Sequence, residues 1–217
     1  MLKVAAVVVA GSLVSLAPAI AGEPPVRPAL VVRVYNAVGV NDEDLARARD
    51  TVRGIFAHAG IDAVWQDCNA ASRAASPDGP CDHSRQPDEV LVRIVAASPE
   101  ATTDALGFSA VVVGQPSGSL ATVLADRVAQ MAGRTHADQG QLLGKVIAHE
   151  IGHLLLGTND HSAAGLMRAR WKDEEVGRDR PTDWLLSRAE ARHLRLAVAD
   201  RSKAPERPLV HMARAAR

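Results

Sequence analysis

His149 and His153 stand four residues apart in the run His149-Glu150-Ile151-Gly152-His153. In a helix that spacing puts both imidazoles on one face, one turn apart. Two such side chains can hold one zinc ion, each at about 2.0–2.1 Å. Glu150 falls roughly 100° further round the helix, close enough to reach a water on the metal without being a ligand. Such a water has its pKa lowered toward about 7, so a neighbouring carboxylate can take its proton. Gly157 can end the helix in a left-handed turn, after which His161 can swing back as a third ligand.

The helix that must carry these groups is legible around them. With His149 at zero and about 100° per residue, His153 falls near 40°, and Leu143, Leu154, Ile147, Ile151 and Leu155 fill an arc from about 120° to 240°. The histidines therefore lie at the edge of a core-facing stripe, as at the floor of a cleft.

His149, Glu150, His153, Gly157, His161 and Met167 follow, in order, the pattern H-E-x-x-H-x-x-G-x-x-H plus Met-turn. The run resembles the metzincin zinc peptidases, and the matrixin-type members most, because His161-Ser162 and Gly165-Leu166-Met167 also look like matrixin sequence. Gly157 comes one residue late and His161 two, so the loop before the third ligand is longer than the usual one. The resemblance implies an α+β, metzincin-like fold. A mixed twisted sheet and two main helices form an upper lobe over about residues 29–157, and a small lower lobe covers about 158–202. It implies Zn2+ held by His149, His153 and His161, with Met167 as an apolar floor. It further implies an endopeptidase cutting protein or peptide substrates by a water on zinc, with Glu150 as general base. An edge strand would run along the cleft and pair with extended substrate; by element order, residues 118–128 are expected near that edge.

Alternatives attach to the same residues. Asp160 adjoins His161 and could be the third ligand in its place. A gluzincin arrangement would use a downstream glutamate, with Glu174, Glu175 and Glu190 available. A non-catalytic protein could keep the fold for zinc binding alone.

With 217 residues the chain suits one domain, spanning 22–202, with a flexible tail at 203–217. Its 25 basic and 25 acidic residues balance, which argues against a nucleic-acid or acidic-membrane partner. A monomer is expected. Residues 1–21 read as a signal peptide: Lys3, an apolar run, then Ala19-Ile20-Ala21 as a cleavage signal. Gly11, Ser12, Ser15 and Pro18 break the run too much for a stable membrane span. Secreted or periplasmic export follows, and the stretch between Ala21 and Ala29 is too short for a folded propeptide. Export fits a disulfide between Cys68 and Cys81, contributing about 3 kcal/mol by closing a short loop. The alternatives are free thiols or a metal-related pair with His83.

The remaining elements position the site helix. A strand is expected over Ala29–Asn36, then a helix capped by Asn41 or Asp42 and stopped by Gly60, then a strand over 61–67. This β-α-β start implies a parallel pair. Residues 68–88 read as a loop, 89–96 and 106–113 as strands, and 114–118 as a turn. Residues 120–128 read as a fifth strand, although 121–131 also fits a helix. The site helix is expected over Gln139–Leu156, an irregular stretch over 168–181 and a last helix over 187–199. Trp171 and Trp184 are placed to cover the base of the site.

Overall fold

The computed structural model describes residues 26–69, 79–98, 104–114 and 118–203. The stretch 1–21 expected to be a signal peptide, the tail beyond Lys203 and most of the turn expected at 114–118 lie outside these residues.

Leu30, Val32 and Val34 alternate along β1 (Ala29–Asn36) and are buried, as a strand with one covered face requires. Helix α1 (Asp42–His58) follows. The Asn41 side chain accepts from Asp44 N at 2.9 Å, and Asp42, Glu43 and Asp44 favour its positive N-terminal end. The chain turns at Gly60, φ +80°, into β2 (Asp62–Asp67), which pairs parallel with β1. Strand β3 (Glu89–Val95) lies parallel on the other side of β1. Cys68 and Cys81 are joined by a disulfide at the foot of the intervening loop.

Two short strands complete the sheet. β4 (Gly107–Ser109) runs antiparallel to β5 (Leu120–Leu124), which is parallel to β3. The five-stranded order is β2-β1-β3-β5-β4. The edge beside the cleft is β4 itself, with β5, in the region expected near that edge, paired next to it. Burial explains the order: Ala121, Thr122, Val123 and Leu124 are all buried and need neighbours on both sides, whereas β4 carries the exposed Phe108. β5 also stops at Leu124, and Ala125–Thr135 forms α2. Its Ala, Arg, Gln and Met residues favour helix, and Val128 and Ala132 turn inward.

Helix α3 (Gln139–Leu156) is buried along almost its whole length and crosses α1 closely. Gly140 and Gly144 permit that approach. A Cβ at Gly140 would stand 2.7 Å from Asp44 O, and one at Gly144 2.6 Å from Ala48 O. α1 and α3 are the two long helices expected of the upper lobe. Beyond Gly157 come α4 (Asp173–Arg178) inside the stretch expected to be irregular, a 3-10 turn (Pro181–Trp184), and α5 (Arg188–Arg201). Leu194 and Val198 of α5 are fully buried, and α5 packs on α3. Among the described residues no helix is long and apolar enough to cross a membrane.

Candidate metal centre

α3 ends as its sequence demands. Gly157 adopts φ 65°, and its N–H bonds His153 O at 3.0 Å. The chain then doubles back, so that one ring nitrogen from each of His149, His153 and His161 lies within 4.8 Å of the others. His149 and His153 are buried, while His161 is exposed.

Hydrogen bonding fixes the state of the two helical histidines. His149 Nδ1 lies 2.9 Å from Leu166 O and His153 Nδ1 lies 2.8 Å from Thr158 O. A carbonyl only accepts, so each Nδ1 carries the proton and each Nε2 presents a bare lone pair. The two Nε2 atoms face one another at 3.1 Å. Burial pushes the His149 pKa down to about 4 and lowers that of His153, so no proton sits between them at neutral pH. Two converging lone pairs repel unless a cation takes both. Tetrahedral zinc with ligand bonds of about 2.0–2.1 Å would hold two nitrogens roughly 3.3 Å apart. The donor set and its spacing therefore fit such an ion.

Glu150 is buried beside this cluster, and burial raises its pKa to about 7 against an opposing hydrogen bond from Ser109. A divalent ion at the histidines would draw that value back down. Ser109 Oγ lies 2.7 Å from both Glu150 Oε2 and Glu150 O. Gly107 leaves room for the carboxylate: a Cβ there would stand 3.0 Å from Oε1 and from Cγ. β4 thus both borders the cleft and orients Glu150.

Beneath the histidines, Met167 is buried against Gly152. A Cβ at Gly152 would approach its Sδ to 2.5 Å. The turn holding Met167 is pinned by Ser162 N to Met167 O at 2.8 Å and by Leu166 N to Leu185 O at 2.9 Å. Trp171 meets His149 edge-on, with ring centroids 5.6 Å apart, and packs on Trp184 at 5.0 Å. Trp171 thus lines the cleft beside His149, and Trp184, expected with it at the base of the site, is buried behind it.

The rival ligands stand apart from the histidine cluster. Asp160 lies outside it, although its charge opposes the lowering of the His153 pKa by burial. Glu175 accepts from Lys172 N at 3.2 Å, and Glu190 accepts from Ser187 N at 2.7 Å and from the Ser162 hydroxyl. Neither Glu174, Glu175 nor Glu190 joins the metal-capable group among the described residues. Sequence reading named the histidines, Glu150 and Met167. It did not find the roles of Ser109, Gly107 and Gly152, which depend on contacts across elements, nor that of Glu190 as an anchor. The capping spacing Ser187-x-x-Glu190 was the only local signal for Glu190.

A cleft of about 1260 Å³ contains the cluster, bounded by β4, α2, α3 and the segment at residues 168–171. No family model matches the sequence, and no curated protein matches it. Among solved structures, the chain resembles archaemetzincin from Methanopyrus kandleri with a TM-score of 0.50 and 14% identity, over 79% of this chain and 97% of that one. It also aligns with metalloproteinase-II from Bacteroides fragilis at a TM-score of 0.49 and 14% identity, over 79% of this chain and 53% of that one. The first likeness establishes a metzincin-like fold.

Proposed function

We propose that this chain is an exported zinc metalloendopeptidase of matrixin-like type. His149, His153 and His161 are its metal ligands and Glu150 its proton carrier. The observation that carries this reading is the pair of bare Nε2 atoms 3.1 Å apart, each tautomer locked by a carbonyl.

A zinc ion there would supply a Lewis acid that polarises a peptide carbonyl and acidifies a water. The chain's own groups do the rest. The edge of β4, which no other described strand covers, binds an extended peptide as an added strand, through main-chain hydrogen bonds. Ser109 holds Glu150 Oε2, leaving Oε1 to take a proton from the attacking water. The same carboxyl then gives that proton to the nitrogen of the departing amine. Met167 keeps an apolar floor under α3. Asp160 tunes His153 from outside the ligand set.

Residues 1–21 act as the export signal for a single domain over 22–202, and the Cys68–Cys81 disulfide suits an oxidising compartment. Digestion of a peptide mixture by zinc-loaded protein tests the activity. Cleavage should stop with chelator and resume on zinc addition; cleavage unaffected by chelator would refute the reading.

A further inference from the structure

The cleft lining includes Arg134 on α2 and Arg168, Arg170 and Trp171 on the segment after Met167. Arg134 pairs with Asp173, two residues beyond Trp171, which brings these groups to one end of the cleft. Arg170 is exposed and, among the described residues, has no hydrogen-bond or ion-pair partner. Arg168 Nε, Arg168 Nη2 and Trp171 Nε1 are buried without a hydrogen-bond acceptor. Arg168 Nη2 stands 3.5 Å from Glu175 Oε2, which is an ion-pair distance without hydrogen-bond geometry. Arg134 reaches Asp173 at 3.5 Å, with both side chains about half exposed. An exposed pair of that kind contributes little and exchanges readily. The carboxylates of the lining are Glu150 and Asp104, and Asp104 lies beside Ala105, whose carbonyl accepts from Arg127 at 3.0 Å on the β4 side.

The orphaned nitrogens of Arg168 and Trp171 are shielded from solvent, so a group entering the cleft meets the exposed Arg170 and the half-exposed Arg134. Beside a free guanidinium, the best acceptor is a carboxylate, which takes a planar fork of N–H donors. A lysine or arginine side chain entering here would meet like charge. An apolar one would avoid the repulsion but leave Arg170 without a partner.

We infer that this end of the cleft binds an acidic side chain of the peptide substrate, with Arg170 as its main charge partner and Arg134 in support. The inference deepens the peptidase reading and rests on it.

Peptides blocked by acetyl and amide groups, so that only side chains supply carboxylate, provide the test. One residue near the scissile bond is varied among Glu, Gln and Lys, position by position. Zinc-loaded protein is assayed for kcat/KM, and the Glu150→Gln variant for equilibrium binding of the same peptides. At one position Glu should exceed Gln by about tenfold, and Lys should be poorer than Gln. Arg170→Glu should reverse the Glu–Lys order in both assays, and Arg134→Gln should weaken the Glu preference. Raised salt should shrink the preference. Cleavage that treats Glu, Gln and Lys alike overturns the inference and leaves the peptidase reading standing, as does a Glu preference that survives both arginine changes. Charge-selective binding without cleavage supports the acidic site and ends the peptidase reading. If the protein neither binds nor cleaves any of the peptides, both fall.

Discussion

Ser162 donates its hydroxyl hydrogen to Glu190, joining the turn that carries His161 to the first turn of α5. The same carboxylate accepts from Ser187 N at 2.7 Å and so closes the helix cap. One buried group therefore serves both the stability of the lower lobe and the placing of an exposed histidine. Glu190→Ala should lower Tm, since hydrogen bonds to a charged group are worth about 1.5–3 kcal/mol. It should also weaken zinc binding about 10–100-fold, as loss of a group supporting a ligand typically does. Glu190→Gln should fall between. Chelator competition alongside thermal unfolding checks this; a lowered Tm with unchanged zinc affinity would confine Glu190 to capping.

Gly152 and Met167 form a second coupling. Gly152→Ala places a methyl 2.5 Å from the Met167 sulfur in a buried site and should cost about 1–3 kcal/mol. Met167→Ala should cost about 2–5 kcal/mol through the space it leaves. The two changes together should cost less than their sum, because the alanine methyl fills part of that space. Denaturant unfolding of both singles and the double gives the coupling; strict additivity would show that the contact does not matter.

Ser109 makes a separable test of Glu150. Ser109→Ala keeps the histidines and removes the donor at 2.7 Å from Oε2. Without that hydrogen bond, which favours the charged carboxylate, the Glu150 pKa should rise further. The base form is then lost at a higher pH. Turnover should fall, most on the acid side of the pH–rate profile, recover as pH rises, and leave zinc content unchanged. An unaltered pH–rate profile would remove Ser109 from the mechanism.

Much of this arrangement could be read from residues 149–167, because metal chemistry restricts both residue types and spacing. α3 was legible to its ends, since Asp138 caps it and Gly157 stops it. The order of β4 and β5 was not, because a strand's place in a sheet depends on which neighbours bury it. Residues 120–128 illustrate the limit: an apolar run fits strand or helix equally, and the chain uses both, changing at Ala125. Nor could spacing disclose Gly140 and Gly144, whose missing side chains set the crossing of α1 and α3.

The third ligand can be examined directly. His161 lies in the histidine cluster, while Asp160 adjoins it and its backbone N–H bonds Thr158 Oγ1 at 3.0 Å. His161→Ala should weaken zinc binding far more than Asp160→Ala, whose effect should not exceed about 10–100-fold. Zinc titration of both variants decides the matter; abolition by Asp160→Ala with retention in His161→Ala would reverse the assignment.

Two bare imidazole nitrogens 3.1 Å apart call for one shared cation, and the proposed cation is zinc. Elemental analysis of protein purified without added metal, before and after chelation and zinc return, tests it most directly. The expected result is one zinc per chain, removed by chelator, restored by zinc, and lost in both His149→Ala and His153→Ala. Folded wild-type protein with negligible zinc that cannot be restored would contradict the claim.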